Sequence, residues 1–461
     1  MLSRVLSIKL TLILLILMAF EIYACTIVSG VDKNGLTWVG NNEDMFFHFE
    51  TRLSVLPRSK NKLGAVIVTY NDGFPQGGIN EKGLFFDINA LLPTPLENYV
   101  GWDNKMKNLS EAEIYIEMIQ KFATVKEAIN YLDQYQIPDL LRSQMHLADA
   151  KGNLAIYSSG GACNNSSFQV STNFRVCSAD ANQSLEKYDD RFWRFPIAQN
   201  TLQSKGINDH SINDVLSATS RKRNVSTIYS YVSNLDTTDT TLYYGGDFSK
   251  SYKFNVQELV DNGEKSIMMH ELFPKSPLVR LWKIYKAEGV EAALIYFREK
   301  LTHLHSSDKQ ELLRHTFTSL LMDLDQNSVD YHSSKIFFDE WKKGKTNVTE
   351  DIYEGLFAFL NGKMNQARKI FIHNLTKKWA NKNLLQSLVD RIDGKIKKSN
   401  LHLELQGHKN ATFVYVKDLS TSKQFLDFLT PTNTGWQGDF MVTDPKKKYD
   451  FVVDGVVVSN F

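Results

Sequence analysis

From Cys25 onward the chain alternates short runs of β-branched and aromatic residues with turn-forming clusters, and that rhythm admits few folds. Cys25 to Val31 is strand-like, Asp32-Lys33-Asn34-Gly35 carries an Asn-Gly turn signal, and Leu36 to Val39 runs back. Asn-Gly favours the positive backbone angles that a two-residue hairpin turn demands. Arg52 to Leu56 and Ala65 to Tyr70 make a second such pair, and Gly83 to Leu92 is a further apolar strand interrupted by Asp87 and Asn89. Two helices are expected next, because Ser110-Glu-Ala-Glu113 and Thr124-Val-Lys-Glu127 are capping-box patterns. Strands resume at Met145 to Ala148, Leu154 to Tyr157 and Phe168 to Thr172. A helix is expected over Tyr188 to Ser204, with closing strands at Ile228 to Val232 and Thr241 to Tyr244. Strands, helices and strands again, joined by hairpins, predict an α+β domain of stacked antiparallel sheets with helices outside, spanning 25–272.

The pattern then changes twice. Leu281 to Lys300, Lys309 to Leu324 and Ile352 to Asn374 carry apolar residues at helical spacing, which predicts an accessory all-α domain over 276–396. Gly362 to Phe371 faintly resembles one tetratricopeptide unit, and one unit makes no array. Leu401 to Leu405, Ala411 to Lys417, Trp436 to Phe440 and Tyr449 to Gly455 alternate like strands again, so 400–461 reads as a small C-terminal β-sandwich. Such modules are appended to some carbohydrate-active enzymes, and a weak sugar contact and a structural cap are both open to it. With 461 residues, two or three domains are expected.

Residues 1–24 differ from everything after them. Arg4 and Lys9 precede the uncharged run Leu10 to Phe20, and Ala24 closes the segment. A basic start, a short apolar core and a small final residue describe a secretory signal, and the run is shorter than the roughly 20 residues a membrane span needs. The expectation is a secreted or periplasmic protein with no stable membrane insertion after processing. Lysine plus arginine number 53 against 52 aspartates and glutamates, which removes the basic field that nucleic-acid binding requires.

Only three cysteines occur, Cys25, Cys163 and Cys177. If the last two pair, Cys25 is the odd one, and it follows the cleavage site directly. Cleavage after Ala24 would give one residue both a thiol and a free α-amine. A thiol is a weak nucleophile until deprotonated, and an α-amine with a pKa near 8 can take its proton. No zinc spacing, phosphate loop or Gly-x-Ser-x-Gly elbow competes, so no metal or organic cofactor is expected.

Cys25-Thr26-Ile27-Val28, Gly40-Asn41-Asn42-Glu43-Asp44, Gly78-Ile79-Asn80-Glu81-Lys82-Gly83-Leu84 and Asn89 together resemble the choloylglycine hydrolase and penicillin V acylase family. The resemblance covers roughly Cys25 to Val260. It implies that family's αββα N-terminal-nucleophile (Ntn) sandwich and hydrolysis of a linear amide in an N-acylated small molecule. By the same resemblance Cys25 is the nucleophile, Asp44 holds its α-amine, and Asn89 and Asn173 form the oxyanion hole. Arg191, with Arg194 as its rival, stands for the arginine at the back of the site. Two departures mark a divergent branch: Asn41 stands where the family has arginine, and Asn89 comes one residue early relative to Asn80.

Two other readings stay open. An acyltransferase would share the acyl-enzyme and pass the acyl group to an amine. A lipid-anchored binding protein is suggested by Ile22-Tyr23-Ala24-Cys25, which partly matches a lipoprotein cleavage box despite bulky Tyr23. The family tends toward homo-oligomers, and the amide itself is not legible in the sequence.

Overall fold

The structure is a computed structural model. It describes residues 25–91, 109–177 and 193–393, apart from positions 46, 48, 71–72, 142, 160, 165–166, 222–225, 264–265, 322–328, 344–349, 362, 377–384, 387–388 and 391. For 399–460 it describes the strands but not the loops between them. The expected leader, 1–24, and Arg191 lie outside the described residues.

In chain order the strands and helices of the first region are β1 (Thr26–Val31), β2 (Thr37–Met45), β3 (Arg52–Leu56), β4 (Ala65–Thr69), β5 (Pro75–Asn80) and β6 (Phe85–Ala90), then α1 (Glu111–Lys121) and α2 (Val125–Leu132). They continue with β7 (Ser143–Ala148), β8 (Leu154–Ser158), β9 (Gly161–Cys163), β10 (Phe168–Ser171), α3 (Arg194–Lys205) and α4 (Asp209–Thr219). The region closes with β11 (Ser226–Asn234), β12 (Asp239–Tyr244), β13 (Asp247–Asn255), α5 (Val256–Asp261) and β14 (Ser266–Met268). Two antiparallel sheets result, one in the order β10-β1-β2-β11-β12-β13 and one in the order β14-β3-β4-β5-β6-β7-β8-β9.

Local chemistry makes these elements. Asp32 Oδ1 accepts from the backbone N–H of Asn34 and of Leu36, and Gly35 takes φ 85°, which closes the β1–β2 hairpin. Both anticipated capping boxes form, at Ser110 with Glu113 and at Thr124 with Glu127. The turn between β5 and β6 explains the Asn80-Glu-Lys-Gly-Leu motif in purely structural terms. Asn80 Oδ1 accepts from the N–H of Lys82 and Leu84, while its Nδ2 donates to the carbonyls of Ile119 and Phe122 at 2.8 and 2.7 Å. One side chain therefore shapes the turn and docks the end of α1. Gly83 sits at φ 77°, and a Cβ there would come within 2.1 Å of the Leu235 carbonyl oxygen.

Period-two alternation sorts the side chains into layers. Ile27, Val39, Val66, Val68, Phe85, Tyr229 and Tyr231 fill the space between the sheets. Ala65, Ile67 and Phe86 face outward onto α1 and α2. Val28, Val170 and Val232 face outward onto α3 and α4. The first region is thus a four-layer helix–sheet–sheet–helix sandwich.

The helical stretch follows as Pro277–Glu288, Val290–Lys300, Ser306–Leu321, Val329–Lys343, Glu350–Leu360 and Met364–Leu375. Two expected single helices are each split. Gly289, at φ 88°, breaks the first, because an extended residue with positive φ ends a helix and glycine adopts that conformation without strain. This stretch shares the inter-sheet core rather than standing apart: Phe49 stacks on Trp282 at 4.0 Å and Phe47 on His315 at 4.5 Å. Residues 399–460 form a three-stranded and a four-stranded antiparallel sheet.

Candidate active site

Cys163 and Cys177 form a disulfide, so Cys25 is the free cysteine. It stands just before β1, and its position is set by the ladder to β2. The pairs Ile27↔Asn41 and Thr26↔Asn42 continue in register to bring Cys25 opposite Glu43. Directly opposed residues of an antiparallel pair point to one face, with their Cβ atoms about 5 Å apart. Accordingly the Cys25 thiol donates to Glu43 Oε2 at 3.3 Å. Both belong to the face that carries Ile27 and Val39, the face between the sheets.

That inter-sheet face is polar around Cys25. Glu43 Oε1 accepts from the Tyr70 hydroxyl at 2.6 Å, and Asn41 and Tyr229 lie close enough to stabilise its charge. From the facing sheet come Asp87 and Asn89, two residues apart on β6 and therefore on one face. Asp87 Oδ2 accepts from the Tyr231 hydroxyl across the sheets. Asn89 is fully buried, and neither atom of its amide has a hydrogen-bond partner among the described residues. His146 and Gln144 of β7 extend the same face. His146 Nε2 lies 2.7 Å from Ser29 Oγ and its Nδ1 2.9 Å from Ser171 Oγ, while Gln144 Nε2 donates to the carbonyls of Thr172 and Phe174.

The other face of β2 is different. Asp44 points toward the α3–α4 layer, where Arg194 Nη1 donates to its Oδ2 at 2.7 Å and the Thr227 hydroxyl to its Oδ1 at 2.6 Å. Arg194 Nη2 also donates to Asn173 Oδ1 at 2.7 Å, and Asn173 Nδ2 donates to the carbonyl of Ala90, next to Asn89. A connected chain thus runs Asp44–Arg194–Asn173–Ala90. Asn42, on this same face, donates to Leu216 O and Thr219 Oγ1 and accepts from Ser230.

Burial dominates the electrostatics. It raises the Cys25 thiol well above its ordinary pKa, and the Glu43 and Asp44 carboxylates raise it further. Burial likewise raises Glu43, against the hydrogen bonds from Tyr70 and Cys25, and raises Asp87 with help from the Glu43 charge. Asp44 is pushed to about 7 by burial, opposed by Arg194. His146 drops to about 3 by burial, so it is neutral at ordinary pH.

Of the residues singled out in the sequence, Cys25 and Asn89 reach the inter-sheet face, and Asp44 and Asn173 meet on Arg194. Sequence reasoning passed over Glu43, Gln144 and His146 as site residues. The signal for the last two is period two: Gln144 and His146 alternate with buried Met145 and Leu147. Among the described residues no cluster of histidine, cysteine, aspartate or glutamate could hold a metal ion.

No protein-family model matches the chain. No curated protein matches it either. Among solved structures it is similar to penicillin V acylase from Agrobacterium tumefaciens, at 19% identity over 51% of this chain and 87% of that one, with a TM-score of 0.38. It is similar also to a variant of conjugated bile acid hydrolase from Clostridium perfringens, at 15% identity over 53% and 96%, again with a TM-score of 0.38. The chain resembles both.

Proposed function

We propose that this chain is an exported Ntn hydrolase that cleaves a linear amide in an N-acylated small molecule. Cys25, made N-terminal by removal of 1–24, attacks the amide carbonyl. Its own amine takes the thiol proton and passes it to the leaving amine, and water then releases the acyl group. The observation that carries this reading is the pairing of a buried free thiol with an unsatisfied buried amide, Asn89, on one inter-sheet face. A buried amide without a partner is rare, and an oxyanion forming in the reaction would supply one. Asn173 is the second donor, with its carbonyl oxygen held by Arg194 so that its N–H groups turn toward β6. Asp44, tied to Arg194 and Thr227, keeps the end of β2 rigid beneath the nucleophile.

The lipid-anchor reading and this one exclude each other, because an acylated Cys25 sulfur could not act as the nucleophile, and the intact mass separates them. Hydrolysis and acyl transfer share the acyl-enzyme, and adding an amine acceptor to the assay separates them by product. The deciding experiment pairs the intact mass of protein recovered from an exporting host with an amide screen. A chain beginning at Cys25 that cleaves an acyl amide, and loses that activity on alkylation, is expected. A mature chain beginning elsewhere, still active, would end this reading.

A further inference from the structure

Asn173 emerges from one sheet and is fastened to the other. The strand that leads into it, β10, pairs with β1 in the first sheet. Past Ser171 the chain is tied repeatedly to the second sheet. Asn173 Nδ2 donates to the Ala90 carbonyl at the end of β6, and Arg175 Nη1 donates to Ser159 Oγ, just past β8, at 3.0 Å. Cys177 is bonded to Cys163, the last residue of edge strand β9.

The centre of this fastening is one side chain. Gln144 of β7 is fully buried, and its Nε2 donates to the carbonyls of Thr172 and Phe174 at 2.9 and 2.8 Å. Its Oε1 accepts from the Val176 N–H at 3.1 Å. Thr172 and Phe174 are the two neighbours of Asn173, so the backbone is gripped on both sides of that residue. Gln144 is also the residue opposed to Asn89 in the β6–β7 ladder. Directly opposed residues of an antiparallel pair share a face, with their Cβ atoms about 5 Å apart. One glutamine therefore stands beside the first asparagine and holds the backbone of the second.

Resting on the reading of Asn89 and Asn173 as the oxyanion donors, we propose that Gln144 is the positioning residue that fixes their spacing. The two asparagines are carried by strands of different sheets, so any sliding of one sheet over the other would pull them apart. Anchoring the Asn173 backbone to the neighbour of Asn89 makes their separation a property of one sheet. Arg194, donating to Asn173 Oδ1, sets how the amide is turned, and Gln144 sets where it stands. Oxyanion donors act by being in place before the charge forms, and a displacement of about 1 Å can cost about 100-fold in rate.

The test is a double-mutant cycle on the mature protein, read as steady-state cleavage of a panel of acyl 4-nitroanilides. Gln144→Met keeps the length of the side chain and removes its three bonds. It is expected to lower kcat by about 100-fold with KM nearly unchanged, because the oxyanion exists only in the transition state. In an Asn173→Ala background the same substitution is expected to change kcat by less than about two-fold, since nothing is left to position. If Gln144→Met does not fold, Gln144→Glu completes the cycle: it still accepts from Val176 but can donate to one carbonyl at most. A Gln144 variant as fast as the parent, or losses that multiply in the double variant, overturns the proposal and leaves the oxyanion reading standing. Asn173→Ala as fast as the parent overturns Asn173 as a donor and the positioning role with it. A parent that cleaves none of the panel overturns the amide reading on which both rest.

Discussion

The two faces of β2 hold the same kinds of residue in opposite conditions. On the outer face Asn42 and Asp44 are completely partnered, by Leu216, Thr219 and Ser230 and by Arg194 and Thr227. On the inner face Glu43 shares its space with another carboxyl and a thiol, and Asn89 of the facing sheet has no hydrogen-bond partner among the described residues. Buried polar groups are ordinarily satisfied because an orphaned one costs about 1–3 kcal/mol. The outer face obeys that rule and holds the fold. The inner face breaks it, and such local violations concentrate where a chain does chemistry.

The sharpest way to break this contrast is at the nucleophile. Cys25→Ala should fold and lose at least about 10³-fold in amide hydrolysis, since the covalent route disappears with the sulfur. A loss well short of that in a correctly processed variant would remove the inner face from the chemistry. On the outer face, Arg194→Met strands a buried carboxylate and should lower stability by about 3–5 kcal/mol, read as the urea midpoint. An unmoved midpoint would mean that the Asp44–Arg194 pair holds nothing together.

The asparagines give a matched pair. Asn89→Ala should reduce kcat by roughly 10²–10³-fold with no loss of unfolding free energy, because its amide makes no bond in the resting protein. Asn42→Ala should do the reverse, losing about 1–3 kcal/mol of stability while kcat changes little. If both variants lose stability alike, the distinction between the faces fails.

The smallest effect is a slope. Burial and the neighbouring Glu43 charge raise the folded pKa of Asp87 above its ordinary 3.8. Between those two values the folded protein holds a proton that the unfolded chain releases, so this group's contribution to stability falls as pH rises. Asp87→Asn should therefore gain on the parent as pH climbs from 4 toward 7, with little difference at pH 4. His146, lowered to about 3, acts in the opposite sense up to 6.5 but is present in both proteins and cancels. Denaturation at a series of pH values reads the difference, and parallel curves would show that Asp87 is ionised without penalty.

Much of the framework was legible because it depends on neighbours in the chain. The Asn34-Gly35 hairpin, the two capping boxes and the alternating strands all form where residue spacing places them. The single helix expected over Leu281 to Lys300 was misread at Gly289. Apolar spacing persists on both sides of that residue, and periodicity alone does not register a backbone reversal. The Asn80-Glu-Lys-Gly-Leu motif, the most specific match to the family, turned out to tie a turn to a helix end rather than to line the site.

By itself, the sequence determined most of the strands, though not Pro75–Asn80 or Asp247–Asn255, which side chains share a face within them, and that three cysteines cannot all pair. These follow from a two-residue period and from counting. Only the tertiary structure decided which face of β2 meets which partner. Asp44 and Arg194 are 150 residues apart, and Tyr231 and Asp87 are 144 apart. No local spacing encodes contacts of that range. They arise when the layers stack, and stacking is what joins Tyr231 to Asp87 and, among the described residues, leaves Asn89 without a bond.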